Sequence, residues 1–184
     1  MISRLFWIVT ASFAAIAAHI ATILYVPGIS FNRNLNAISA GQKANSFFLM
    51  APESQPGFLP IATTQDIVGL CLIDLSQGKV VVNAHVPQSF WNFTIYNSSG
   101  LQVYAINDAE AGAGEFSVEI AQAKGIIEQV RGKPEPDDIG KITNSGWHAE
   151  VTGNNGLAVL WLPVADPVRR KALEAEVKKT DCAG

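Results

Sequence analysis

The chain has 184 residues, of which 48% are hydrophobic and 16% are charged, with 13 basic and 16 acidic side chains. These values fit one domain of ordinary size plus a strongly apolar segment. The net charge of −3 comes with no basic stripe and no Arg-rich arm, which argues against nucleic acid as a partner.

Residues 1–26 are predicted to form a transmembrane anchor. Residues 5–26, LFWIVTASFAAIAAHIATILYV, contain no Asp, Glu, Lys or Arg, and a helix of this length reaches roughly 33 Å, enough to cross a lipid bilayer. A cleaved signal peptide is the alternative, because Arg4 precedes the apolar run and Ala15-Ile16-Ala17 resembles a cleavage site. The run is longer than a signal peptide needs, so an uncleaved anchor is favoured, ending at Pro27-Gly28.

The orientation of this anchor follows from its flanking charges. Arg4 lies on the amino-terminal side and Arg33 on the other, so the positive-inside rule weakly favours an amino terminus in the cytoplasm. The remaining residues would then face the periplasm, and the protein would be a single-pass inner-membrane protein.

One face of the anchor carries small and polar residues. Ser12, Ala15, His19 and Thr22 recur at spacings of three and four, which places them on one stripe of a helix. Such a stripe suits docking of a transmembrane helix from a partner protein. The alternative is that a single neutral histidine is simply tolerated there.

Residues 27–60 are rich in Asn, Ser, Gly and Pro, and we interpret them as a spacer with one short helix from Ala37 to Lys43. Residues 61–184 are predicted to form a mainly β, extracytoplasmic domain: an antiparallel, jelly-roll-like β-sandwich with a C-terminal helix. Strands are predicted at 67–75, 79–87, 90–96, 101–106, 115–120, 148–151 and 157–164. The helix after Asp166-Pro167 is predicted to end the domain.

Three tight turns suggest how these strands pair. A loop between 85 and 90 predicts a hairpin of the second and third strands, a turn at 97–100 predicts a hairpin that pairs Phe93 with Tyr104, and Asn154-Asn155-Gly156 predicts a third hairpin. The first two place apolar side chains on one dry face: Val80, Val82, Ala84, Trp91, Phe93, Ile95, Tyr104 and Ile106. The aromatic cluster is therefore interpreted as core and not as a ligand platform.

The opposite face of the same predicted strands collects polar side chains. They are Asn83, His85, Asn92, Thr94 and Tyr96. If the sheet curves over this side, these groups converge in a cleft that would hold a small ligand. The alternative is an ordinary solvated sheet face.

Recognisable catalytic and cofactor motifs are absent from the sequence. His85 and His148 lack the spacing of zinc ligands, so no catalytic residue, metal or cofactor is expected. The alternative is a zinc site that a carboxylate such as Asp66 would complete. Cys71 and Cys182 are the two cysteines, and in an oxidising compartment they would join. In a cytoplasmic domain they would stay unpaired, with Cys71 as a small core residue and Cys182 as a free thiol near the carboxyl terminus.

The layout resembles small membrane-anchored alphaproteobacterial proteins related to the domain of unknown function numbered twelve fifty-four. The resemblance covers the anchor with His19, the segment QDIVGLCLIDLSQGKVVVNAHVP and the strand that leads into YNSSGLQVYAIND. Asp66, Asp74-Leu75 and Gly78 match the family pattern, whereas Thr64 and Gly69 stand where the family has Asn and Tyr. The resemblance implies a β-rich fold and no established activity.

The function expected from the sequence is that of a non-enzymatic interaction or accessory module of the cell envelope, held to the lipid bilayer by its anchor. The alternative is a periplasmic small-ligand-binding protein or hydrolase that uses the polar face around His85.

Overall fold

The computed structural model describes residues 2–112, 114–123 and 146–184. Its helices are α1 (Ile2–Ser39), α2 (Gln55–Phe58), α3 (Asp108–Ala111) and α4 (Arg170–Val177), and short 3-10 turns at Pro52–Ser54 and Pro167–Arg169 precede α2 and α4. Its strands are β1 (Phe47–Leu49), β2 (Ile67–Asp74), β3 (Val80–Val86), β4 (Asn92–Asn97), β5 (Gln102–Asn107), β6 (Gly114–Gln122), β7 (Trp147–Val151), β8 (Asn155–Leu162) and β9 (Asp181–Ala183).

The strands form two sheets that pack face to face. The first sheet has five strands in the order β1-β2-β8-β4-β5, and the second has four in the order β7-β6-β3-β9. All pairs are antiparallel except β6 with β7, which is parallel. The mainly β, sandwich-like class predicted from the sequence is therefore confirmed, while the parallel pair departs from a purely antiparallel arrangement.

The main core lies between the two sheets. The aromatic strand supplies its largest members, because Trp91, Phe93 and Ile95 are at most 1% exposed. The Trp91 ring stacks on Phe116 of β6, with ring centroids 4.7 Å apart and planes inclined by 8°. The interpretation of this aromatic run as core is confirmed.

Two of the three predicted hairpins are wrong. β3 pairs with β6 and β9, whereas β4 pairs with β5 and β8, so β3 and β4 belong to different sheets. Likewise β7 pairs with β6, and β8 pairs with β2 and β4. In both cases the connection crosses from one sheet to the other. Alternation of apolar residues gives the buried side of each strand, but two consecutive strands can bury that side either as neighbours in one sheet or as opposing strands across a sandwich.

The predicted β4–β5 hairpin is confirmed with a different register. Phe93 pairs with Ile106, and Ile95 pairs with Tyr104, after which the register shifts at a bulge before Tyr96. Relative to the prediction the strands have slipped by two residues. A shift of two residues leaves each side chain on the same side of the sheet. The prediction of which side chains face the core is therefore correct, although the predicted residue pairs are wrong.

The first helix is longer than predicted. It continues past Pro27-Gly28 to Ser39, so the spacer interpretation of 27–60 and the separate short helix from Ala37 to Lys43 are both wrong. Proline costs roughly 3 kcal/mol in a helix interior because it removes a backbone hydrogen bond. Packing of the following residues onto the sheet compensates for that loss.

A second core covers the outer face of the five-stranded sheet. Phe31, Leu35 and Ile38 of α1 pack against it at spacings of four and three. The segment between β1 and β2 adds Met50, Phe58, Leu59 and Ala62 on the same face. Together they cover Val68 and Leu70 of β2 and Leu157 and Val159 of β8, which are at most 3% exposed. The central strands are thus buried on both sides, as their continuous apolar sequence predicted.

The amino-terminal half of α1 stands apart from this packing. The helix is long and apolar enough to cross a membrane, and residues 4–26 are exposed throughout. One continuous helix therefore joins the apolar segment to the β-sandwich.

The carboxyl terminus ties the two sheets together. The Asp166 carboxylate accepts a hydrogen bond from the Val168 backbone N–H, at 3.0 Å, and so caps the predicted C-terminal helix. The domain does not end there, because β9 follows and pairs with β3. Cys182 on β9 forms a disulfide with Cys71 on β2. The predicted bond is confirmed, and closing so long a loop stabilises by up to about 4.7 kcal/mol in the chain-entropy model.

We predict that Phe31→Ala lowers the free energy of unfolding of the domain by about 1 to 3 kcal/mol, because a half-buried ring leaves the second core. The Phe31 ring lies 6.2 Å from that of Tyr96 and covers Gly100. Urea unfolding in detergent, followed by tryptophan fluorescence, measures the change. Arg33→Ala is the matched control, since Arg33 is exposed on the same helix. Equal stability of the two variants would contradict this role of α1.

Candidate functional site

The five polar residues predicted to share a cleft lie on opposite sides of the sandwich. Asn83 and His85 belong to β3 in the four-stranded sheet. Asn92, Thr94 and Tyr96 belong to β4 in the five-stranded sheet, on the outer face that α1 crosses. The structure therefore does not bring them together, and the cleft predicted around His85 is wrong. The error follows from the β3–β4 hairpin, which would have placed both strands in one sheet.

His85 lies on the outer face of the four-stranded sheet and has an acidic neighbour there, Glu115. Its ring Nδ1 is 3.2 Å from the Glu115 Oε1, across the register pair of β3 and β6. Its backbone N–H donates to the Thr180 hydroxyl at 3.0 Å. Asn83, two residues earlier, is exposed. This arrangement is typical of a solvated sheet face, which was the alternative interpretation.

The three polar residues of β4 bond to one another or pack under the helix. The Thr94 hydroxyl donates to Asn92 Oδ1 at 2.6 Å, and Thr94 itself is buried. Burial beneath α1 raises the pKa of the Tyr96 phenol. These side chains are parts of the second core and its rim, so they leave little surface for a ligand.

A charged cluster that the sequence analysis did not identify lies on the same outer face as His85. The Lys79 ammonium is 2.7 Å from Glu119 Oε1, and His148 Nδ1 is 3.5 Å from that oxygen. The hydrogen bond from Lys79 holds the pKa of the Glu119 carboxyl below its usual value. Glu119 of β6 and His148 of β7 are partners in the parallel register of these two strands. No pattern in the sequence indicates that pairing.

Asp66 and Asp74, two of the residues on which the sequence resemblance rests, have structural roles. The buried Asp66 carboxylate accepts hydrogen bonds from the Thr63 and Val164 backbone N–H groups and from the Trp161 indole. These donors join the start of β2 to the end of β8. Asp74 accepts from the Ser76 N–H in the β2–β3 turn, which lowers the pKa of Asp74. The oxygens of Asp66 are thus already engaged by protein donors.

The residues considered as metal ligands from the sequence lie apart. Across residues 2–112, 114–123 and 146–184, no three His, Cys, Asp or Glu side chains are placed to hold an ion. Asp66 lies immediately before β2 of the five-stranded sheet with its own donors, whereas His85 and His148 belong to the four-stranded sheet.

An open cleft of about 460 Å³ lies where α1 meets β1 and α2. Its apolar surface includes Ile38, Phe48 and Phe58, and its polar groups come from Asn34, Gln42 and Ser54. None of its lining residues in the described part of the chain is charged. The spacer predicted for residues 27–60 includes the segment that forms this cleft, so the spacer interpretation gave no indication of it. The available signal was the spacing of Phe31, Leu35 and Ile38, which continues a helical apolar face beyond Pro27.

The four residues predicted to form a helix-docking stripe lie on the exposed half of α1. Ser12, Ala15, His19 and Thr22 are all exposed there. The Ser12 hydroxyl donates to the Ile8 carbonyl and the Thr22 hydroxyl to the Ala18 carbonyl, each at 2.9 Å. Both hydroxyls are therefore satisfied within the helix, which leaves His19 as the residue of the stripe that most needs a polar partner in an apolar environment.

Comparison with known proteins gives a fold and no activity. No family model matches the chain, and no curated protein matches it. The crystal structure of the VPA0106 protein from Vibrio parahaemolyticus is similar to it over 89% of this chain, with a TM-score of 0.61 and 11% sequence identity. A putative uncharacterized protein from Burkholderia cenocepacia reaches a TM-score of 0.46 over 79% of the chain at 13% identity. The chain spans 36% and 35% of the lengths of these two proteins.

Proposed function

We propose that the protein is a single-pass inner-membrane protein whose β-sandwich faces the periplasm and serves as an interaction or accessory module of the cell envelope. In this proposal it belongs with the membrane-anchored proteins related to the domain of unknown function numbered twelve fifty-four, on the strength of Asp66, Asp74-Leu75 and Gly78.

The disulfide is the observation that carries the location. Cys71 and Cys182 lie on facing strands of the two sheets and are at most 2% exposed. Buried structural disulfides form and persist in oxidising compartments and are rare in the cytosol. Combined with an uncharged apolar helix at the amino terminus, the bond supports an anchor in the inner membrane and a domain outside the cytosol.

The location predicts the redox state of the cysteines in living cells. After acid quenching and denaturation, maleimide-polyethylene glycol should modify no cysteine of the wild-type chain, and it should modify both after reduction. Cys182→Ser is the control, because it leaves Cys71 as a single thiol that must react without reduction. Two reactive thiols in the unreduced wild-type chain would place the domain in the cytosol and contradict the proposal.

The stripe on α1 supports the interaction role. Ala15 keeps the surface shallow between Ser12 and His19, and small residues let a second helix approach closely. A polar group at membrane depth turns toward protein or water, so His19 favours a partner on this face. The partner in this proposal is another transmembrane protein.

We predict that purification in mild detergent recovers a stoichiometric membrane partner and that Ala15→Leu abolishes its recovery by filling the shallow face. Ala17→Leu is the matched control, because it adds the same side chain about 200° away around the helix at 3.6 residues per turn. Both variants raise the apolarity of the anchor equally. Recovery of a lone monomer throughout, or equal loss with both variants, would contradict docking through the stripe.

A second candidate function is the binding of a small uncharged molecule in the cleft between α1, β1 and α2. Its volume of about 460 Å³ lies within the range of small-molecule sites. Its lining combines apolar side chains with three neutral polar ones, Asn34, Gln42 and Ser54, so the ligand would be an uncharged molecule with both apolar and polar groups. This site replaces the His85 face as the place for the alternative function.

Gly57→Leu tests the cleft directly. Gly57 lines it, and an added Cβ there meets no atom within 4 Å, so a larger side chain fits at this position of the lining without a backbone shift. We expect neutral compounds that raise the Tm of the wild-type protein to lose that effect in Gly57→Leu and to keep it in His85→Ala, which changes the opposite sheet. Identical thermal-shift profiles for the wild type and Gly57→Leu would exclude the cleft as the binding site.

A further inference from the structure

The position of the sandwich relative to the apolar helix is fixed by packing. α1 runs without interruption from the apolar segment into the second core, where Phe31, Leu35 and Ile38 contact the five-stranded sheet. A flexible linker would let the domain move away from a membrane, whereas a packed helix does not. The end of the sandwich nearest residue 26 is therefore held at a defined height.

Three turns form that end of the sandwich, and we name it the near end: residues 75–79, 98–101 and 152–154. The first and third are joined by a hydrogen bond from the Leu75 N–H to the Asn154 carbonyl, at 2.7 Å. A Cβ added to Gly153 would lie 3.7 Å from the Ser98 hydroxyl, which places the second turn beside the third.

The near end contacts α1 just beyond the apolar segment. A Cβ added to Gly28 would lie 3.8 Å from Ser99, and one added to Gly100 would lie 2.8 Å from the Phe31 ring. Gly100 also has a φ of +77°, a left-handed conformation that favours glycine. Glycine is therefore required there both by the backbone of the turn and by the close approach of the Phe31 ring. Gly28 and Phe31 follow Val26 by about 3 and 7.5 Å at 1.5 Å per residue. A headgroup layer is about 5 to 7 Å thick on each side of the bilayer.

The near end combines a polar surface with exposed apolar side chains. Its own residues include no Asp or Glu, but the carboxylate of the adjoining Asp74 accepts from the Ser76 N–H in the first turn, at 2.9 Å. Lys79 is its charged residue and pairs with Glu119 of β6 at 2.7 Å, and the other polar groups are Ser, Thr, Gln and Asn. Leu101 is 63% exposed at the edge of this surface, and Ile29 on the adjacent helix is 53% exposed. Exposed apolar side chains lose contact with water when they enter the membrane interface, which favours such a contact.

We infer that the near end of the sandwich rests on the bilayer, with Leu101 at the boundary between headgroups and acyl chains. The inference rests on the proposed function, because it takes residues 5–26 to span the membrane. The partner of this surface is the lipid bilayer itself, as a second contact beside the anchor. It fixes the orientation of the domain and leaves the four-stranded sheet facing the aqueous phase.

The test uses the full chain in vesicles of phosphatidylcholine with a minor fraction of phosphatidylglycerol. Because Cys71 and Cys182 are joined, one introduced cysteine can be labelled selectively with an environment-sensitive fluorophore. The three variants are Leu101→Cys, Gln88→Cys and Ala18→Cys. Gln88 is exposed between β3 and β4, at the end of the sandwich away from the near end, and Ala18 lies within the apolar segment.

We expect nitroxide-labelled lipids to quench the labels at 101 and 18 and to leave the label at 88 unaffected, while aqueous iodide quenches only the label at 88. Equal iodide quenching at 101 and 88, with the label at 18 still quenched by lipid, would overturn the contact and leave the anchor intact. Absence of lipid quenching at 18 would overturn the anchor and the contact together.

Discussion

The structure depends on covering both faces of the five-stranded sheet. β2 and β8 are apolar on both parities, so a single opposing sheet leaves one of their faces in water. The second half of α1, with the segment from Met50 to Ala62, supplies the missing cover. The apolar segment and the fold are consequently one unit, because the helix that contains the apolar segment is also part of a hydrophobic core.

This constraint explains why Pro27 does not end the helix. A proline in an isolated helix favours termination, and that local preference is worth roughly 3 kcal/mol. Against it stands the burial of three apolar side chains, Phe31, Leu35 and Ile38, each able to contribute up to about 1.5 to 3 kcal/mol when fully buried. Tertiary packing therefore outweighs the local signal. The sequence offered both signals, and Asn, Ser and Gly around the apolar positions concealed the second.

Sequence patterns predicted the faces of the strands better than their partners. Val80, Val82, Ala84, Trp91, Phe93 and Ile95 all point into the main core as expected. Alternation reports which side of a strand is dry, and that information is the same whether two strands are neighbours in a sheet or oppose one another across a sandwich. The loop between β3 and β4 permits either arrangement. Pairing depends on how the apolar faces of all the described strands are buried together, and no local window of sequence contains that information.

The predicted candidate site depended on that pairing. A β3–β4 hairpin would place Asn83 and His85 beside the polar residues of β4, which are Asn92, Thr94 and Tyr96. In the structure the two sets are separated by the thickness of the main core. The disulfide was predictable because it needed only two cysteines and a compartment, whereas the pairing of Glu119 with His148 depends on a parallel register between distant segments. Long-range registers are the information that one sequence does not display.

The two sheets end up with different surroundings, and this bears on function more than any single residue does. The outer face of the five-stranded sheet is occupied by α1 and is apolar. The outer face of the four-stranded sheet carries His85, Glu115, Glu119 and His148 in solvent. Since α1 is continuous with the apolar segment, the first face is tied to that segment and the second face points away from it. Packing of α1 on the first sheet therefore fixes the position of the charged face relative to the apolar segment.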